Sequence, residues 1–175
     1  MERAIFEIIE IFKKSAVNLP VSLKMKTVEL ILNLMKNQKN FGLFVVLGWQ
    51  DKWQEYTDIS DSTQDIFVGH HVNVLEIENH ADWYHDVEST VGFDGAILIN
   101  SNGEIVHSGV MIEGLRPRIA AAEINPGSFP DLSDQFGFDH KVHTRHLSAI
   151  TASYIFKDTT VFTVSEETGA LHVFE

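Results

Sequence analysis

Apolar residues recur at helical spacing over 2–14, where Ile5, Ile8, Ile9 and Phe12 share a face. Glu2, Glu7, Glu10, Lys13 and Lys14 fall mostly off that face. Asn18-Leu19-Pro20 breaks this helix. A second helix is predicted over 22–38, with Leu23, Val28, Leu30, Ile31, Leu34 and Met35 apolar and Ser22 as its N-cap. The period then changes. GLFVVLG at 42–48 is a continuous apolar run between glycines, the pattern of a strand covered on both faces.

Residues 49–65 are polar and turn-rich; short strands are predicted at 66–68 and 72–77, and a short helix over 80–90. AILIN (96–100), Ser101-Asn102-Gly103 and EIVHSGVMI (104–112) form the clearest local signal, a β-hairpin turning on Asn-Gly. Residues 113–142 hold three prolines and read as a loop with one helical turn at RIAAAEI. A helix over 144–154, a strand over 159–165, a turn at 166–169 and a strand over 170–174 complete the chain. The fold class is therefore α/β, a mixed β-sheet flanked by helices with an N-terminal helical extension. The expected division is 1–20 for the extension and 21–175 for the main domain.

Composition removes several function classes. The chain has 175 residues, 44% hydrophobic, with no Cys. Zero Cys excludes a disulfide scaffold, a thiolate metal site and a Cys nucleophile. No apolar run approaches the ~20 residues of a membrane span, and charges interrupt the first residues where a signal peptide would be apolar. A soluble, cytoplasmic protein is expected. Residues 1–40 carry seven Lys/Arg against four Asp/Glu, a net of +3; residues 41–175 carry six against twenty-one, a net of −15. No basic residue lies between Lys52 and Arg116. That argues against nucleic acid as partner, since phosphate backbones demand a basic surface. It leaves room for a small polyphosphate carried in with a metal ion.

Three segments carry candidate chemistry. Phe93-Asp94-Gly95-Ala96 puts a carboxylate before a strand, followed by residues that let a ligand approach the backbone; it is equally what a plain turn needs. His143-Thr144-Arg145-His146 puts a hydroxyl, a guanidinium and an imidazole at a helix start, where anions are favoured; a Thr cap with exposed neighbours would look the same. Ser165-Glu166-Glu167-Thr168-Gly169 is an acidic turn after a strand, able to complete a metal site with Asp94. His70-His71 and the pair His80 and His85 lack ligand spacing. There is no P-loop, GxGxxG or GxSxG motif.

In this order, and together with GLFVVLG at 42–48, the three segments resemble the diadenylate cyclase family over roughly 23–175. Its signatures are Asp-Gly-Ala, Gly-Thr-Arg-His-Arg and Ser-Glu-Glu-Thr-Gly. Here they read Asp94-Gly95-Ala96, His143-Thr144-Arg145-His146-Leu147 and Ser165-Glu166-Glu167-Thr168-Gly169. His143 and Leu147 depart from the pattern. The resemblance implies a nucleotidyltransferase that condenses two ATP into the second messenger cyclic di-AMP and two pyrophosphates, using Mg²⁺ or Mn²⁺. It implies a face-to-face homodimer or higher homo-oligomer, with one ATP per domain.

Carried over by position, Asp94, Arg145 and His146 are the expected catalytic residues. Gly95, Ala96, Met111, Ile112, Thr144, Arg145 and Ser165 are expected to bind nucleotide, and Asp94, His146 and Glu166 to bind metal. The alternative is a degenerate domain that binds a nucleotide as a sensor or regulator without turnover, which Leu147 and His143 favour. A metal-dependent phosphohydrolase is the third class. The amphipathic segment 1–20 is expected to govern assembly or to pack on the domain.

Overall fold

A computed structural model describes residues 2–38, 40–58, 61–124, 126–127 and 144–175; the side chains of 2–5, 144 and 145 fall outside that set. The predicted central run becomes β1 (Leu43–Trp49), buried at all seven positions. It pairs in parallel with β4 (Ala96–Asn100) and antiparallel with β6 (Thr160–Val164). The hairpin forms as expected: β4 pairs antiparallel with β5 (Glu104–Ile112) around the turn at Gly103, whose φ is +87°. Asn100 Oδ1 accepts hydrogen bonds from the Asn102 and Glu104 amides and fixes that turn. At one edge β7 (Leu171–Phe174) pairs with β6. At the other, β2 (Thr57–Asp58) and β3 (Val72–Asn73) pair with opposite ends of β5. The order is β2-β5-β4-β1-β6-β7, a mixed sheet as expected from the sequence.

β1 is apolar at every position because both sheet faces are covered there. Val45, Leu47, Ile97, Ile99 and Phe162 face α1 (Glu2–Lys14), α2 (Val21–Asn37) and α3 (Ala81–Ser89), in a core with Leu23, Ile31, Leu34 and Val87. Val46, Ala96, Leu98 and Val161 face the opposite core, with Ala121 of α4 (Pro117–Ile124) and Ala149, Ile150 and Ala152 of α5 (Thr144–Ile155). The period of two along each strand thus assigns alternate residues to the two cores. Ile8, Phe12, Val17 and Leu19 of the N-terminal segment pack on this body. Phe12 is 2% exposed and meets Phe162 edge-on at 6.4 Å.

Several local expectations are corrected. The helix expected over 22–38 begins at Val21 with Pro20 at the cap, and no side chain caps it. Ser22 therefore sits inside the first turn. Residues 66–68 are turns rather than a strand, and the strand expected over 72–77 stops after Asn73, whose Oδ1 takes the Leu75 amide into a turn. The polar stretch 49–65 contains a 3-10 turn at Asp51–Tyr56 and strand β2, neither foreseen. The helical turn expected at RIAAAEI is the eight-residue helix α4. The rest of the long loop, at 125 and 128–143, lies outside the described residues, as does His143. Among the described residues no helix is long and apolar enough to cross a membrane.

Candidate functional site

Sheet topology creates the site. β1 and β4 run parallel, and β5 and β6 run antiparallel to them, so two strand starts and two strand ends meet at one edge. A cavity of about 790 Å³ opens there. Gly42 and Phe44 come from the start of β1, Phe93, Asp94 and Gly95 from the approach to β4, and Val110, Met111, Ile112 and Glu113 from the end of β5. Ser165, Glu166 and Glu167 follow β6, and His146 and Ser148 project from the first turns of α5.

Seven of the singled-out residues, Asp94, Gly95, Met111, Ile112, His146, Ser165 and Glu166, line this one space. Ala96 does not; it is fully buried in the core beneath. Thr144 and Arg145 are the first two residues of α5, and their side chains lie outside the described residues. Sequence reasoning missed Glu113 and Ser148 as lining residues, whose only signal is adjacency to a motif or to a strand end, and it gave no role to Phe44 and Phe93, which lie within the segments 42–48 and 93–96.

Gly95 has a strict fold reason. Its φ is +108°, and a Cβ there would lie 2.7 Å from the Gly109 carbonyl carbon and from the Val110 oxygen. Only glycine lets the approach to β4 touch the β5 backbone so closely. That contact holds Asp94 at the cavity mouth.

The wall is acidic. Asp94, Glu113, Glu166 and Glu167 line it, and among the described residues no Lys or Arg does. His146 is 8% exposed, with Nε2 3.3 Å from His172 Nδ1 and the two rings nearly perpendicular at 84°. His172 lies on β7 opposite Thr163 and stacks toward Phe174. Burial holds its imidazole below the ordinary value, and a hydrogen bond to the Ala170 backbone works the other way. Thr163 Oγ1 is buried beside this pair, with no hydrogen-bond partner among the described residues. Leu147, where the resemblance places a second arginine, packs instead on the core with Ile150 and Phe156.

Among the described residues no three His, Asp or Glu side chains gather closely enough to hold a metal ion. Asp94, His146 and Glu166 share the cavity without forming a ready coordination set.

The chain is thus a mixed α/β protein with an acidic cavity at the end of its sheet. No family model matches it and no curated protein is similar to it in sequence. Among solved structures it is similar to a protein from Bacillus cereus described as a hypothetical membrane spanning protein, at 19% identity and TM-score 0.53. That match covers 86% of this chain and 58% of the other, so the chain spans little more than half the length of that protein. It is also similar to a double mutant of DacA from Staphylococcus aureus, at 18% identity and TM-score 0.47, covering 86% of this chain and 79% of that one. The first likeness shows a shared fold.

Proposed function

We propose that this chain is a diadenylate cyclase, joining two ATP into cyclic di-AMP with release of two pyrophosphates. One observation carries the reading. Segments 94–95, 146 and 165–166, far apart in the chain, line a single cavity with Met111 and Ile112. Its volume of about 790 Å³ falls in the range of nucleotide-sized sites. Met111 and Ile112 offer an apolar wall to a base, and Ser165 offers a hydroxyl to phosphate oxygens. Asp94 at the cavity mouth accepts the proton of an incoming 3′-hydroxyl, or orients it. That hydroxyl belongs to the ATP of a facing copy and attacks the α-phosphate; pyrophosphate leaves. Such a displacement needs alignment and charge neutralisation more than covalent help.

The acidic wall bears on the substrate's form. A triphosphate entering among four carboxylates gains from a divalent counter-ion, so the substrate is the Mg²⁺ or Mn²⁺ complex of ATP, with Arg145 at the start of α5 supplying the phosphate-binding cation that the resemblance implies. A facing homodimer or larger homo-oligomer is part of the same proposal, because one cavity holds one nucleotide and the product joins two.

The test is incubation of purified protein with ATP and Mn²⁺, following cyclic di-AMP by mass spectrometry. Product is expected, with a rate per chain that rises with protein concentration, and Asp94→Asn should lower it by about 10²-fold or more. Release of ADP or inorganic phosphate instead would refute the cyclase. One observation favours a second reading, nucleotide binding without turnover: Leu147 packs in the core where a phosphate-facing cation is expected. ATP binding with no product in any metal would establish that reading.

A further inference from the structure

A second cavity of about 300 Å³ is lined by Trp49, Asp51, Gln54, Thr57, His107 and Val110. It owes its existence to an irregularity in β5. Between the pairs Ala96↔Val110 and Leu98↔His107, β5 carries one residue more than β4, and Gly109 turns to φ +64°. In a regular strand, residues three apart face opposite sides. The extra residue brings His107 and Val110 to the same wall.

His107 is held there by a buried carboxylate. Asp65, whose side chain is 3% exposed, accepts from His107 Nδ1 at 2.7 Å through Oδ2 and from the Ser108 amide at 3.0 Å through Oδ1. Ser108 Oγ donates to the Gln64 carbonyl and accepts from the Ile66 amide. Segment 64–66 is thereby clamped to the strand irregularity. In a neutral imidazole with its proton on Nδ1, Nε2 is left as a lone-pair acceptor. The same clamp orients the ring: with Nδ1 turned to Asp65, Nε2 is the nitrogen His107 has left for a ligand in the cavity it lines.

The chemistry of the walls selects the ligand. The polar lining is the His107 imidazole, the Asp51 carboxylate, the Gln54 amide and the Thr57 hydroxyl, which donates to the Gln54 carbonyl; among the described residues no Lys or Arg joins them, so Asp51 brings a negative charge that no cation in the wall offsets. Among the described residues, His107 and Asp51 do not gather with a third ligating side chain as metal ligands do. They suit a molecule that spans them. Trp49 adds an aromatic wall, which attracts cations. We propose that this cavity is a second ligand site, for a small organic cation with N–H donors such as an amidinium or a protonated amine, held between His107, Asp51 and Trp49. The site is independent of the cyclase reading. Among the described residues the two cavities have Val110 alone in common.

The probe is benzamidinium, with neutral benzamide as its isostere, titrated into the full chain while the His107 ring nitrogens are followed by long-range ¹H–¹⁵N correlation. Saturable perturbation of His107 is expected below about 10 mM, the range open to so small a ligand. Benzamide should bind at least about fivefold more weakly, and so should benzamidinium to Asp51→Asn, a surface change that leaves the fold intact. Asp65→Asn, which disturbs the tautomer, should weaken binding about tenfold. Absence of saturation, equal binding of benzamide, or unchanged affinity in Asp51→Asn would overturn the proposal.

Discussion

The contact beneath Asp94 can be measured with a glycine-to-alanine series. Gly92, Gly69 and Gly95 separate the effects. At Gly92 an added Cβ meets nothing within 4 Å and φ lies outside the positive region. Alanine there should be neutral or stabilise by about 0.4–1 kcal/mol, through the unfolded chain alone. At Gly69 the space is also open, but φ is +78°, so alanine carries backbone strain only, about 1–2 kcal/mol. At Gly95 a φ of +108° combines with three backbone atoms at 2.7 to 2.8 Å, none of which can swing aside. Relief requires parting β4 from β5. The expected cost is at least about 3 kcal/mol, built from the strain and the displaced strand pair. For a chain of this size that lowers Tm by roughly 6–12 °C. The assay is urea unfolding followed by tryptophan fluorescence and far-ultraviolet circular dichroism, comparing midpoints at equal slope. A Gly95→Ala variant within about 1 kcal/mol of Gly69→Ala would refute the close-contact argument, and with it the account of how Asp94 is held.

Lys24 is fully buried on α2, with Nζ 2.6 Å from Glu175 Oε1, which also accepts from Thr160 Oγ1 at 2.6 Å. Lys24→Met should destabilise by about 2–4 kcal/mol because it strands that carboxylate, and adding Glu175→Gln should restore more than half; urea midpoints of the two variants decide. His172 should make stability pH-dependent. The unfolded imidazole takes up a proton near 6.5 while burial resists it in the folded chain, so the unfolded state binds more protons there. Stability should therefore fall as pH drops from above 6.5 through the folded-state value, and His172→Gln should flatten that part of a Tm-against-pH curve. Nucleotide affinity should depend on divalent metal: like charges at roughly 5 Å repel by about 3 kcal/mol at an effective dielectric of 20, so EDTA should weaken ATP binding at least about 100-fold by calorimetry.

Local order was legible where one period dominated. GLFVVLG could be read as a strand buried on both faces because neither face is polar, and the Asn-Gly turn fixed the hairpin register. Legibility failed where short elements depend on distant partners. β2 and β3 are two residues each and exist only because β5 offers an edge to pair with. Thr57 favours a strand, but one such residue followed by Asp58 is too short a signal to read by itself. The cavity shows the same division. Asp94, His146 and Glu166 were singled out by residue type and by resemblance, but Glu113 and Ser148 join them only through strand direction and helix phase. The role of Lys24 was invisible because a lysine on an amphipathic helix normally marks the solvent side. Its ammonium is accommodated inside by Glu175, 151 positions away in sequence.

One seam in the sheet ties the two cavities together. Gly95 presses on Gly109, and Gly109 is where β5 carries its extra residue. Beside that contact Asp94 lines the larger space, and the displaced strand places His107 in the wall of the smaller one and Ser108 onto Gln64. A Cβ on Gly109 would lie 2.7 Å from Gln64 Cβ, so this glycine too is fixed by a neighbour and not by solvent exposure. The same irregularity thus serves two ends. It makes room for the approach to β4, and it rotates an imidazole that a regular strand would have aimed elsewhere. A substitution at either glycine should therefore disturb both cavities at once, whereas changes at Asp51 or Glu166, each of which lines one cavity, should each disturb one.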